Sequence, residues 1–312
     1  MSDFEVYDIS HHEPINIEQM GTKSKFWYED NEGTKWLFKS NETINAKEER
    51  ITRIGENWSE KCAYEICLLL KIPAPEIHLA VHNGKSGTIS KNFIDDNETL
   101  VFANEFVTKY SKGEDGKIEE RKNFHTAGRI HAALDTMEVL KPAGWNSLPG
   151  VKSAADFFCG YLVLDCLIAN QDRHEENWGI VSTGEDTLHL SPSFDHAASL
   201  ARNISDEERS SRLNSKDNGQ MVSTFIKRAK SQLYDKQGKR LKTIEALEDF
   251  SKRTPHALSA WTEKLQQIEI GEIKSIFDKI PSTTMSETAK EFSLSIIVEN
   301  SKRIASLAEE LK

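Results

Sequence analysis

Long apolar runs are missing from this chain of 312 residues. The longest, such as Ile66–Leu70 and Tyr161–Leu164, fall far short of the ~20 residues that a membrane-spanning helix needs. The start, Met-Ser-Asp-Phe-Glu-Val-Tyr, lacks the basic and apolar regions of a secretory signal. Together these absences lead to the expectation of a cytoplasmic protein with no membrane partner, export by a signal-less route being left open. Cysteine is scarce: Cys62, Cys67, Cys159 and Cys166 lie in apolar helical patterns, without zinc-type spacing or nearby histidines. Reduced thiols packed in a core are expected. An excess of positive charge is absent too. The formal net charge of −10 argues against whole-surface attraction to nucleic acid or anionic lipid. The local exception is Lys227–Lys242, which sets seven cations against Asp235 alone. A solvated helix face and loop is the plain reading of it, and a docking surface for an acidic partner the other. No internal repeat or low-complexity tract occurs.

What is present suits a folded protein of two lobes: 38% hydrophobic and 29% charged residues, in a chain longer than a single core usually serves. The first third reads as strands with one helix. Phe26–Tyr28 and Trp36–Lys39 flank the turn Asn31-Glu32-Gly33, and Asn41–Gly55 reads as a mobile polar loop. Trp58–Ile72 has helical spacing and is stopped by Pro73 and Pro75. Strand-like runs follow at Glu76–His82, Gly87–Ile94 and Leu100–Val107. After the charged connector Tyr110–Glu120 the pattern turns helical, at Phe124–Leu140 and Ala154–Ala169, with a short β-pair at Trp178–Val181 and Leu188–Leu190. From Met221 onward only helices are expected. The predicted class is α+β, a bilobal protein-kinase-like fold with a β-rich N-lobe over 1–107 and an all-helical C-lobe over 108–312.

Chemistry is concentrated in Ile168–Ile180, where Asp172 and Asn177 stand five positions apart in a polar loop, and Asp195 follows eighteen residues later. Such a set meets the needs of phosphoryl transfer from ATP. Asp172 would orient the attacking hydroxyl, and Asn177 and Asp195 would offer hard oxygens to Mg²⁺ on the phosphates. Lys39, closing the apolar strand Trp-Leu-Phe-Lys, would neutralise the inner phosphates, and Glu60 on the next helix would hold it. Gly21-Thr22-Lys23-Ser24-Lys25 would cover the triphosphate with backbone amides and cations, although one glycine makes a weak loop. Glu105-Phe106-Val107 is placed to link the lobes and offer backbone groups to adenine. Arg173 and His174 would brace the loop or touch phosphate.

Asn-Gln-Asp-Arg-His-Glu-Glu-Asn-Trp-Gly, Ser-Pro-Ser-Phe-Asp-His-Ala-Ala-Ser-Leu, Lys91-Asn92-Phe93 and, near the end, Thr284-Met285-Ser286-Glu287 with Lys290-Glu291-Phe292 resemble the HipA-like serine/threonine kinases, most of all their compact CtkA-type branch. The resemblance covers most of the chain. It implies ATP and magnesium, transfer to a serine or threonine of a protein substrate, Lys39 on the phosphates, Asp172 as catalytic aspartate, and Asn177 and Asp195 on metal. It also implies autophosphorylation of the nucleotide loop, for which Thr22 and Ser24 are the matching hydroxyls. An antitoxin partner is admitted by the family, but its persistence toxins carry an extra N-terminal subdomain, and here little precedes the nucleotide loop. His196-Ala197 after Asp195 departs from the Phe-Gly of eukaryotic protein kinases. Two other readings stay open: a lipid or small-molecule kinase, since Asp-Arg-His-x-x-Asn also resembles the phosphoinositide kinase loop, and a nucleotide-binding pseudokinase acting as an interaction module.

Overall fold

The structure is a computed structural model that describes residues 2–17, 23–44, 49–109, 120–146, 148–184 and 187–312. Strands β1 (Val6–Asp8), β2 (Asn16–Ile17), β3 (Lys23–Glu29), β4 (Lys35–Ile44) and β5 (Arg50–Thr52) precede helix α1 (Glu56–Leu70); β6 (Ile77–His82) and β7 (Lys85–Lys91) follow it. They form one sheet in the order β1-β6-β7-β4-β3-β2, with β5 added beside β4 and only β1 paired in parallel. Local chemistry fixes its hairpins. Asp30 Oδ1 accepts from the amides of Glu32 and Thr34, and Gly33 at φ 80° completes the β3–β4 turn. Asn83 and Gly84, both at positive φ, make the two-residue turn between β6 and β7. The stretch expected as a mobile loop instead continues β4 to Ile44 and adds β5, residues 45–48 lying outside the described part.

The second lobe contains β8 (Thr99–Phe102), α2 (Ala103–Lys109), α3 (Arg121–Phe124), α4 (Ala127–Thr136), α5 (Ala154–Leu167), β9 (Gly179–Ser182), β10 (Leu188–Leu190), α6 (Asp206–Asn214), α7 (Val222–Ile226), β11 (Lys230–Tyr234), β12 (Arg240–Lys242), α8 (Thr243–Ser251), α9 (Pro255–Gln266), α10 (Ile270–Asp278) and α11 (Glu287–Glu310). It is therefore helical but not all-helical. Strand β8, expected in the N-lobe sheet, pairs with β9 in a small β10-β9-β8 sheet of the second lobe. Residues 92–98 thus join the lobes. Helix α5 is buried on every side, its start fixed by a capping box between Ser153 and Asp156. The polar run Arg202–Gly219 contains α6, whose Arg209 is buried and donates to the carbonyls of Ala201 and Arg202.

Among the described residues three apolar cores of unequal size result, one of them small and formed around Ala169, Val222, Ile226, Phe292 and Ile296. Ile9, Phe26, Tyr28, Phe38, Ala80 and Ile89 pack under the N-lobe sheet. The large core is built on α5 and α9 but also takes in Trp58, Cys62, Cys67 and Leu70 of α1. Helix α1 is thereby anchored to the second lobe. All four cysteines are buried free thiols, and burial pushes Cys159 up to about 11 and Cys166 to about 12, which keeps them protonated and inert. Among the described residues no helix is long and apolar enough to cross a membrane.

Candidate active site

Lys39 sits in the interior of β4, where Gly87 of β7 lies opposite Ser40 and Thr88 opposite Lys39. A Cβ on Gly87 would come within 2.2 Å of the Lys39 carbonyl oxygen, so the close pairing of β7 with β4 at this point requires glycine. The Lys39 ammonium lies 3.3 Å from Asp195 Oδ2, both side chains being partly buried. Ser40, Asn41, Glu56, Glu60 and Thr88 line the same small cavity. Asp195 itself is held at φ 58°, a left-handed conformation that an aspartate adopts more readily than most residues and that costs of the order of 1 kcal/mol.

Glu60 is buried in the cavity wall, but the carboxylate the structure sets beside Lys39 is Asp195. Glu60 Oε1 faces His196 Nδ1 at 3.7 Å, and His196 Nε2 lies 2.7 Å from Ser193 Oγ. The second oxygen, Oε2, is buried without a hydrogen-bond partner. A buried carboxylate oxygen left in this state is costly, so the cavity is electrostatically incomplete as it stands. A cation or a repositioned Lys39 ammonium would satisfy it.

The loop carrying Asp172 and Asn177 is fastened from beneath. Arg173, fully buried, reaches Asp165 of α5 through Nε and Nη2 at 2.9 Å each, a bidentate pair. Its Nη1 donates to the Asn177 carbonyl at 3.0 Å and reaches the Phe194 carbonyl at 3.5 Å, and Nη2 donates to Ser193 Oγ at 2.8 Å. Burial opposes the guanidinium charge, but the Asp165 carboxylate outweighs it and raises the pKa above its ordinary value. One side chain thereby ties the Asp172–Asn177 loop to the residues just before Asp195. Asn177 Nδ2 donates to the Asp172 carbonyl at 2.7 Å, which leaves the Asn177 amide oxygen as the free end of that side chain's hydrogen-bonding capacity. The Asp172 carboxylate is 45% exposed, with Gln232 Nε2 at 3.4 Å and His174 Nε2 at 3.8 Å from Oδ1.

Several expectations change in detail. Glu105 and Val107 lie within α2 and so are not part of an extended linker. Residues 92–98 join the lobes instead, and there Phe93 stacks on Phe194 at 5.8 Å while Phe194 meets Phe102 edge-on at 6.3 Å. Gly21 and Thr22 lie outside the described residues; Lys23 and Ser24 begin β3, but their side chains are not described. Sequence reading missed Asp165, although a carboxylate inside an otherwise apolar helix was a signal. It also missed Gln232, Gly87 and Arg202, which bonds to Glu56 Oε1 at 2.8 Å and to the Ala197 carbonyl at 2.8 Å. None of these three carried a local signal. Among the described residues no cluster of three or more His, Cys, Asp or Glu forms a closed metal cage. The Asn177 amide oxygen and the Asp195 carboxylate, in segments tied together by Arg173, are instead the kinds of donor expected where substrate phosphates complete the shell of a magnesium ion.

This lobe order, with a strand lysine facing an aspartate that follows a β-hairpin, defines a kinase-like fold. The chain belongs to the HipA-like C-terminal domain family, which matches residues 17–261. Its fold is similar to that of the Helicobacter pylori proinflammatory kinase CtkA, with a TM-score of 0.74 at 22% identity over 98% of both chains. It is also similar to HipA of Shewanella oneidensis, solved with HipB and operator DNA, with a TM-score of 0.56 at 10% identity over 98% of this chain and 69% of that one. No curated protein sequence matches.

Proposed function

We propose that this chain is an ATP- and magnesium-dependent protein serine/threonine kinase, with Asp172 as its catalytic aspartate. The observation that carries the reading is the joining of two distant segments by Arg173, which sets the Asp172–Asn177 loop against the residue before Asp195 while Lys39 faces Asp195 across the cavity. Positioning and charge stabilisation are most of what phosphoryl transfer asks of a protein. In the proposed reaction the acceptor hydroxyl oxygen bonds to the γ-phosphorus, the bond to the bridging oxygen breaks, and ADP leaves. Asp172 orients the hydroxyl and receives its proton. Lys39 stabilises charge on the phosphates, and residues 92–98 with Phe93 and Phe194 border the adenine. Asn177 and Asp195 hold magnesium, which neutralises phosphate charge when bound.

In this account the Lys39–Asp195 pair is the resting arrangement, and nucleotide separates it. Replacing Asp195 with Asn removes a charged metal ligand, so Mg-ATP affinity should fall by about tenfold or more, whereas metal-free ATP binding should hold or improve because Lys39 is released. Calorimetric titration with and without Mg²⁺ checks this. Equal loss under both conditions would contradict the metal role.

A further inference from the structure

The basic run Lys227–Lys242 is not a helix face. It forms the β11–β12 hairpin, and that hairpin lies against the loop bearing Asp172. Gln232 Nε2 donates to the Gln171 carbonyl at 3.0 Å and lies 3.4 Å from Asp172 Oδ1. The Lys230 amide donates to Gln171 Oε1 at 3.3 Å, and Arg240 Nη2 to the Gln171 carbonyl at 3.2 Å. Arg240 is thus spent on holding the hairpin in place. The remaining cations, Lys227, Arg228, Lys230, Lys236, Lys239 and Lys242, are exposed.

Their charge is not neutralised locally. Of these six, Lys242 alone has an ion-pair partner among the described residues, Glu245 at 3.2 Å. Asp235, the one acid of the run, uses Oδ1 to accept from the amides of Gln237 and Lys239, so its role is to close the hairpin turn. Lys230 stands directly opposite Lys242 in the strand register. Like charges facing each other across strands repel, and with Glu245 engaged by Lys242 the charge of Lys230 stays open to an incoming anion. Burial alternates along β11 despite an irregularity in its pairing, with Lys230 and Gln232 outward and Ser231 and Leu233 inward, so Lys230 stands two residues, roughly 7 Å, from the side chain that touches Asp172.

We propose that the β11–β12 hairpin is the substrate-reading element of this site and selects protein segments in which acidic side chains lie within about two or three residues of the acceptor hydroxyl. This rests on the kinase reading for the meaning of Asp172, and on the hairpin's own charge and placement for the rest. A chain of net charge −10 repels acidic polypeptides in general, and this cationic wall beside the acceptor position reverses the sign locally.

The test uses the full chain and fluorescent peptides carrying one serine flanked by glutamate, glutamine or lysine. Anisotropy should show the acidic peptide binding about tenfold tighter than the neutral one at low salt, as two or three exposed charge contacts would give. The advantage should shrink as ionic strength rises through the range where screening reaches ~8 Å. Lys230→Glu, and separately the double change Lys236→Glu with Lys239→Glu, should abolish or invert the preference while leaving the thermal melting point and nucleotide binding unchanged. Phosphoryl transfer to the same peptides should follow the same ranking. Equal affinity for acidic and neutral peptides, or unaltered preference in both charge-reversed variants, overturns the proposal. So does a single-stranded oligonucleotide of matched charge that binds tighter than the acidic peptide and displaces it. Charge-selective binding without any transfer would instead overturn the kinase reading and leave the hairpin's role standing.

Discussion

Arg173 is the side chain on which the geometry of the site depends. It sits one residue from Asp172, is almost inaccessible to solvent, and spends its donors on Asp165, Ser193, the Asn177 carbonyl and, more weakly, the Phe194 carbonyl. A lysine keeps the charge but cannot make the bidentate contact or span to two further acceptors. Arg173→Lys should therefore cost about 3 kcal/mol of stability, because Asp165 is left buried and poorly paired. Urea unfolding measures this, and a cost below about 1 kcal/mol would show that the loop is held by other contacts. His196 serves a local purpose as well. By lying between Ser193 and Glu60 it fills the place where eukaryotic kinases have phenylalanine after the metal aspartate, so the segment is tied by polar contacts to α1.

At the scale of elements, β7 and the β11–β12 hairpin decide where the polar groups stand. Gly87→Ala would drive a methyl group into the backbone of β4 at Lys39, and backbone cannot yield as a flexible side chain would. The expected cost is about 1–3 kcal/mol in stability, with ATP affinity falling more than tenfold because Lys39 itself is displaced. A melting curve and a nucleotide titration check the two parts, and unchanged ATP affinity would show that Lys39 does not need the close pairing. Much of this level was legible in the sequence. Asn31-Glu32-Gly33 and Asn83-Gly84 announced their hairpins because Gly33, Asn83 and Gly84 take the positive φ angles the turns need, the Asp30 carboxylate closing the first. Pro73 and Pro75 marked the end of α1, and the helices from α8 to α11 followed their apolar spacing. Strand β8 was assigned to the wrong sheet because its partner, β9, lies nearly eighty residues away and no local pattern encodes such a pairing. Lys227–Lys242 was read as helix and loop because a short hairpin of alternating cations has little apolar periodicity of either kind. Lys39, Asp172, Asn177 and Asp195 stood out in the sequence by their spacing; the structure sets Lys39 against Asp195 and ties the Asp172–Asn177 loop to Phe194 through Arg173. Asp165 could have been suspected as a carboxylate inside an apolar helix, whereas the Asp172 neighbour Gln232 was set by tertiary contacts alone.

At the scale of the whole molecule, α1 packs into the large core, and Arg202 ties its first turn to the segment after Asp195. Swinging α1 away, a common means of switching kinases off, would expose Trp58 and Leu70 and strip that core. Helix α1 is thus held as part of the large core of the second lobe. Acid stability carries a second global consequence. His125 is fully buried, accepts from Trp178 Nε1 at Nε2 and donates from Nδ1 to the Gln232 carbonyl; burial lowers its pKa to about 4, with Glu175 and Arg121 acting in opposite senses nearby. Protonation would turn two donors toward each other at Trp178. The unfolded chain takes up this proton near pH 6.5 and the folded one only near pH 4, so stability is full above the first value and falls between them. The fall is of the order of 3 kcal/mol for this residue. Unfolding midpoints between pH 7.5 and 4.5 should show it, and His125→Asn, which keeps a donor toward the Gln232 carbonyl but carries no titrating group, should flatten the slope. An unchanged slope in that variant would assign the acid sensitivity to other groups.

The central claim is that Lys39, Asp172, Asn177 and Asp195 make one phosphoryl-transfer site, and labelled ATP tests it most directly. Wild-type protein and Asp172→Asn are incubated with Mg-ATP and a protein mixture, and phosphate on serine and threonine is counted alongside nucleotide affinity. The account predicts that the variant loses transfer by about 10²–10⁴-fold while binding Mg-ATP within a few-fold of wild type. Transfer that survives the substitution at full rate, or its absence from the wild-type protein under conditions where Mg-ATP binds, would contradict it.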